Sequence, residues 1–140
     1  MEKTMTNSQK IFEALKKLPF VAEKERWLLT LDKNEGSLFY APSQIPKGSE
    51  LHQVTDEYAM YLDENNKPTG LMIEYFNVNF IKHHDIAAQM SKTVFESSNS
   101  NQEEQTIVVD PKEKTNKSAF LLKAFLEKPL IQDALTKPVF

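Results

Sequence analysis

Apolar positions along this chain repeat with two different periods. From residue 7 the interval is helical: Ile11, Ala14, Leu15 and Leu18 fall at i, i+3, i+4 and i+7, one stripe of an amphipathic helix. Thr6 and Gln9 stand at the spacing of a capping box, with Asn7 as a rival cap, and Pro19 is expected to stop the helix after Leu18. Lys10, Glu13, Lys16 and Lys17 fill the opposite side, so this helix should lid one face of a sheet.

The period then drops to two. Residues 26–32 predict a strand with Trp27, Leu29 and Leu31 on one face. Residues 33–36 supply a turn, and residues 37–41 return as a second strand that Pro42 ends. Pro46 and Gly48 mark residues 43–50 as loop, and residues 51–54 read as a short edge strand. Residues 57–76 predict a second hairpin, with aromatic and branched residues in the arms and turn chemistry at 64–69. In its return arm Leu71, Ile73 and Tyr75 should point one way, and Met72, Glu74 and Phe76 the other. Tyr58, Met60 and Leu62 share a face opposite Ala59 and Tyr61. Apolar side chains thus fall on both faces. The second face is expected to be covered, either by the chain's own helices or by another protein.

The last strand is expected to run on through 77–81, after which Asp85 can cap a helix over 86–95 with Ala87, Met90 and Val94 in its stripe. Residues 96–105 are Ser, Asn, Gln and Glu with a single pattern-free polarity, which reads as linker. Residues 106–110 form an apolar island that can add an edge strand before Pro111. Ser118 can cap a helix over 119–128 carrying Leu121, Leu122, Phe125 and Leu126, which Pro129 breaks. Leu130, Ile131, Ala134 and Leu135 predict another turn or two. The expected fold is α+β: a four- to five-stranded antiparallel meander flanked by an N-terminal helix, a helix after the sheet and a C-terminal helical tail. The expected organisation is an α+β domain at 1–95, a polar linker at 96–117 holding the island 106–110, and an amphipathic helical segment at 118–140.

Composition narrows the chemistry. The chain has 140 residues, enough for one domain with a core, and a formal net charge of -3, which offers no footprint for a nucleic-acid backbone. With no cysteine there is no disulfide, thiolate nucleophile or thiolate metal site, and three glycines leave little for phosphate-cradling loops. No apolar run is long enough to span a bilayer, and residues 1–6 carry no targeting pattern, so a cytoplasmic protein with no membrane partner is expected.

Candidate chemistry is sparse. His83-His84-Asp85 offers imidazoles and a carboxylate, but neighbours in sequence diverge on either a strand or a helix, and histidines four apart are missing. A polar strand end with a helix cap is the simpler reading. Residues 32–36 and 63–66 resemble the start of a calcium loop, yet Gly36 stands at the fifth position where the sixth is required, and Ser43 stands at the twelfth where a glutamate is required. They read as turns. Glu74, embedded in an apolar arm, needs Glu57 or His52 nearby to act as an acid/base pair. No cofactor or metal is expected.

Trp27, Phe39, Tyr40, Tyr58, Tyr61, Tyr75 and Phe76 make the sheet aromatic-rich without interleaved basic residues, which suits core packing and protein contact rather than base stacking. The residues expected to meet a partner are Tyr61, Tyr75 and Phe76 from the sheet and Leu122, Phe125 and Leu126 from the tail. The two hairpins share a weak repeat, with Leu31-Asp32-Lys33-Asn34 aligning with Leu62-Asp63-Glu64-Asn65. Leu38-Phe39-Tyr40, Asp63-Glu64-Asn65 and the Gly70 to Glu74 segment give residues 26–76 a resemblance to a small uncharacterised bacterial domain family of tandem β-hairpins. Gly36 departs from it, standing where such sequences carry an acid. The resemblance implies paired hairpins and no particular activity. The functional expectation is a non-enzymatic interaction or regulatory protein whose partner is another protein or a second copy of itself. The alternatives are a small metal-dependent hydrolase-like enzyme using His83, His84, Asp85 and Glu74, and a small-molecule pocket between sheet and helix.

Overall fold

The computed structural model describes residues 6–76, 82, 84–96, 106–112 and 117–136. Helix α1 (Asn7–Glu25) opens on the expected capping box: Thr6 Oγ1 accepts from the Gln9 N–H at 3.2 Å, and Gln9 Oε1 accepts from the Thr6 N–H at 2.9 Å. The helix does not stop at Pro19. It runs to Glu25 and ends where Arg26 turns left-handed at φ 54°, its N–H reaching the Ala22 and Glu23 carbonyls. Proline removes one intrahelical hydrogen bond, but Ala22 continues the buried stripe of Ile11, Ala14, Leu15 and Leu18, and that packing outweighs the local break.

Six strands form one antiparallel sheet: β1 (Leu28–Asp32), β2 (Ser37–Ala41), β3 (Glu50–Gln53), β4 (Tyr58–Leu62), β5 (Pro68–Ile73) and β6 (Thr106–Val109). Their order is β3-β4-β5-β2-β1-β6. The two expected hairpins are joined through β2 and β5, with Tyr40 opposite Leu71 and Leu38 opposite Ile73, and the apolar island returns to pair β6 with β1. The count exceeds the expected four to five by one. Both hairpin turns are held by an aspartate. Asp32 Oδ1 accepts from the Asn34 and Glu35 N–H groups, and Asp63 Oδ1 from those of Asn65 and Lys67 at 2.8 and 2.9 Å. Gly36 and Asn66 take the left-handed positions, φ 71° and 62°.

The C-terminal half is helical in four pieces: α2 (Asp85–Ser91), a wide π-type turn at Lys92–Glu96, then α3 (Lys117–Phe125), a second π-type turn at Leu126–Leu130, and α4 (Ile131–Thr136). Pro129 does not break the tail; it sits in the wide turn, where the chain widens around the missing donor. Asp85 is the first helical residue rather than the cap, and Ser118 lies inside α3. The expected strand over 77–81 and the linker residues 97–105 and 113–116 lie outside the described residues.

Register separates the two faces of the sheet. Leu29, Leu31, Leu38, Tyr40, Tyr58, Met60, Leu62, Leu71, Ile73, Ile107 and Val109 share one face, and all are buried. They form one core cluster with α1, Val94 and Phe95, and with Ala119, Leu122, Leu126, Leu130, Ile131 and Ala134 of the tail. The segment 118–140 therefore packs into the same core as residues 7–95. No residue of the other face belongs to that cluster, so the described helices cover one side only.

Candidate functional site

The polar residues that the sequence singles out come together in only one place, where β4 begins under the C-terminal helices. The β3–β4 connection is tight: the Val54 and Thr55 N–H groups both reach the Tyr58 carbonyl at 3.1 Å, and Thr55 Oγ1 accepts from the Glu57 N–H at 3.1 Å. This fold of the loop presents Glu57 to His84, the residue that precedes α2. His84 Nε2 lies 2.7 Å from Glu57 Oε2, with both side chains about three-quarters or more shielded from water. The Phe125 ring meets the imidazole edge-on at 5.7 Å. A cavity of about 220 Å³ opens beside the pair, walled by Asp56, Asp133, Leu130 and Tyr58.

Tyr58 is 1% exposed, and its hydroxyl donates to the Leu130 carbonyl at 2.8 Å. Burial pushes its pKa well above the ordinary tyrosine value, and the Asp133 carboxylate adds to that. The group therefore remains a proton donor and a clamp on the tail. Tyr40 plays the same part at the other end of the helical layer. Its hydroxyl donates to Glu127 at 3.0 Å, and burial followed by the Glu127 charge raises its pKa strongly. Glu127 also takes Lys123 at 2.5 Å, Lys123 lies 4.0 Å from Glu23 of α1, and Glu23 takes Lys112 beyond β6 at 2.7 Å. The Lys112 hydrogen bond and charge hold the Glu23 carboxyl below its usual range.

The remaining candidates do not join His84. Glu74 is exposed and lines a different cavity of about 520 Å³, with Asn34, Glu35, Ser37, Met72 and Tyr75. Asp85 is exposed on the first turn of α2, His52 sits on β3 at 4.0 Å from Glu50, and His83 lies outside the described residues. Among the described residues no group of three His, Cys, Asp or Glu is placed to hold a metal ion. The arrangement is an imidazole oriented by a carboxylate at the rim of a small acidic hollow. Nothing in the local sequence links Glu57 to His84, because only the tertiary fold brings the β3–β4 turn under α2.

The expected partner residues divide. Tyr75 is 60% exposed, and Tyr61 is half-buried on the uncovered sheet face. Phe76, Leu122 and Leu126 are completely buried in the chain's own core, and Phe125 packs partly against it. These four are taken up internally. Tyr75 and Phe76 exchange the roles expected from alternation because β5 ends at Ile73 and Tyr75 turns left-handed at φ 52°. Sequence reasoning passed over Leu28, Met72 and Val108 on the uncovered face, and Phe20, Phe120 and Leu121 on the helices. A signal was present for Phe20, which stands off the apolar stripe of α1 on its charged side. No family model, curated protein or solved structure matches this chain.

Proposed function

We propose that this is a non-enzymatic protein-interaction protein that works through the uncovered face of its sheet. The observation that carries the reading is the one-sided placement of the helices. Register puts Leu28 and Thr30 of β1, Phe39 of β2, Met72 of β5 and Val108 of β6 side by side on the other face. Leu28, Phe39 and Met72 are half-buried, and Val108 is 56% exposed. Residues 42–49 cover only the far end of this face. There Ile45 lies over Gly70, where an added Cβ would meet Ala41 at 3.1 Å and the Ile45 side chain at 3.5 Å.

The partner that fits best is a second copy of the chain. The central residues of the patch carry no charge, so two identical faces meet without like-charge repulsion, and sheets pack face to face through such side chains. Asp32, the charged member of the face, is held at its turn end. Light scattering of the full chain on a sizing column tests the reading. Dimers are expected for the natural sequence and monomers for the pair Met72→Lys and Val108→Lys, with melting unchanged to within a few degrees. A natural chain that is monomeric at every concentration removes the self-partner. If it is also insensitive to these substitutions in pull-downs from native cells, the interaction reading falls with it.

A further inference from the structure

The outward side of the helical layer carries a second surface, unlike the sheet face in both shape and charge. Phe20 is 78% exposed, Phe120 55% and Leu121 54%. At 100° per residue Phe20 stands opposite the buried stripe of α1, and its helical neighbours Lys16, Lys17 and Lys24 are exposed. Phe120 and Leu121 straddle the outward line of α3, with exposed Lys117 one turn before them. Because α1 and α3 pack on the same sheet face and meet at the Glu23–Lys123 contact, their outward sides face the same way.

The charge of this surface departs from that of the chain. Across Asn7–Glu25 and residues 117–130 there are seven lysines against four glutamates, in a protein of net charge -3. The acids nearest the aromatic tips are matched, Glu13 by Lys16 at 3.6 Å and Glu23 by Lys112 at 2.7 Å. Glu127 is matched by Lys123, and Glu25 is in an ion pair with Lys67. Asp56, Glu57 and Asp133 gather instead at the separate hollow beside His84.

We propose that this surface rests on an anionic lipid bilayer. Apolar tips ringed by lysine are the chemistry of an interfacial contact, with the rings entering the headgroup boundary and the ammonium groups meeting lipid phosphates and carboxylates. The tips project from the convex crests of two helices rather than lining one groove. A bilayer yields around separate projections, whereas a peptide ligand needs a continuous channel. The absence of a spanning segment among the described residues is compatible with this, since a surface contact needs none.

The test is co-sedimentation of the full chain with vesicles of phosphatidylcholine alone or mixed with phosphatidylserine. The natural chain is expected to pellet with the mixed vesicles, to stay in solution with the neutral ones, and to be released by added salt. Phe20→Ala should weaken partitioning roughly tenfold, and Lys17→Gln or Lys24→Gln roughly fivefold each. All three side chains are exposed, so circular dichroism should show an unaltered fold. A chain that ignores both vesicle types overturns the proposal, as does binding that survives all three substitutions. Failure on vesicles combined with Phe20-dependent cross-linking to a protein in native extracts overturns it in favour of a protein partner. None of these outcomes touches the dimer assay on the sheet face.

Discussion

Two tyrosines show how single residues join the layers of this molecule. Tyr40 on β2 and Tyr58 on β4 each point from the sheet into the helical layer, and each donates one hydrogen bond to the segment between α3 and α4. Their folded-state pKa values lie above the ordinary 10.0, so the native state holds the phenol protons more tightly than the unfolded chain does. Stability from this source is complete below pH 10 and is lost as the pH rises beyond it. Melting temperature is therefore expected to fall steadily above pH 10. Tyr40→Phe should lower stability at neutral pH by about 1–2 kcal/mol through loss of the bond to Glu127, and should flatten the alkaline decline. An equally steep decline in that variant would locate the effect elsewhere. Neither partnership was legible in the sequence. A tyrosine on a buried strand face advertises that it needs an acceptor, but the acceptors lie 87 and 72 residues away.

At the scale of elements, what the sequence makes legible is what depends on near neighbours. The capping box of α1, both aspartate-anchored turns, the faces of β1 and β4, and the edge position of β6 all follow from local spacing, and all are found. The misreadings occur at Pro19 and Pro129, where local chemistry argues for termination and tertiary packing overrides it. Pro19 is followed by Ala22, whose burial against the sheet keeps the final turns of α1 helical. Pro19→Ala would restore the missing N–H opposite the Leu15 carbonyl. It is expected to raise stability by about 1–2 kcal/mol in urea unfolding, part of the cost of an interior proline. A destabilised variant would mean that the bend at Pro19 is itself required for α1 to follow the sheet. The reversal of Tyr75 and Phe76 has a similar origin, since alternation stops being informative where the strand stops.

At the scale of the whole molecule, the side that the helices choose is the property local pattern could not supply. Both faces read as apolar, and only the arrangement of all the helices decides which remains open. The same arrangement changes the standing of the tail. Leu122, Leu126, Leu130 and Ile131 are buried in the core, and at roughly 1.5–3 kcal/mol each their removal costs about 6–12 kcal/mol, comparable with the entire stability of a domain. A chain ending before residue 117 is expected to lose its sigmoidal urea transition, as followed by tryptophan fluorescence of Trp27. A sharp transition in the shortened chain would show that residues 7–112 form a self-sufficient body. The strand order carries a consequence for the protein's birth. The final strand in the sequence pairs with the first, and the tail roofs strands made long before it. During vectorial synthesis the early hairpin must leave the ribosome with one flank unzipped and its greasy side bare, and it must wait for nearly the last codons before it can close. The open interval is when a holding chaperone has most to offer this chain.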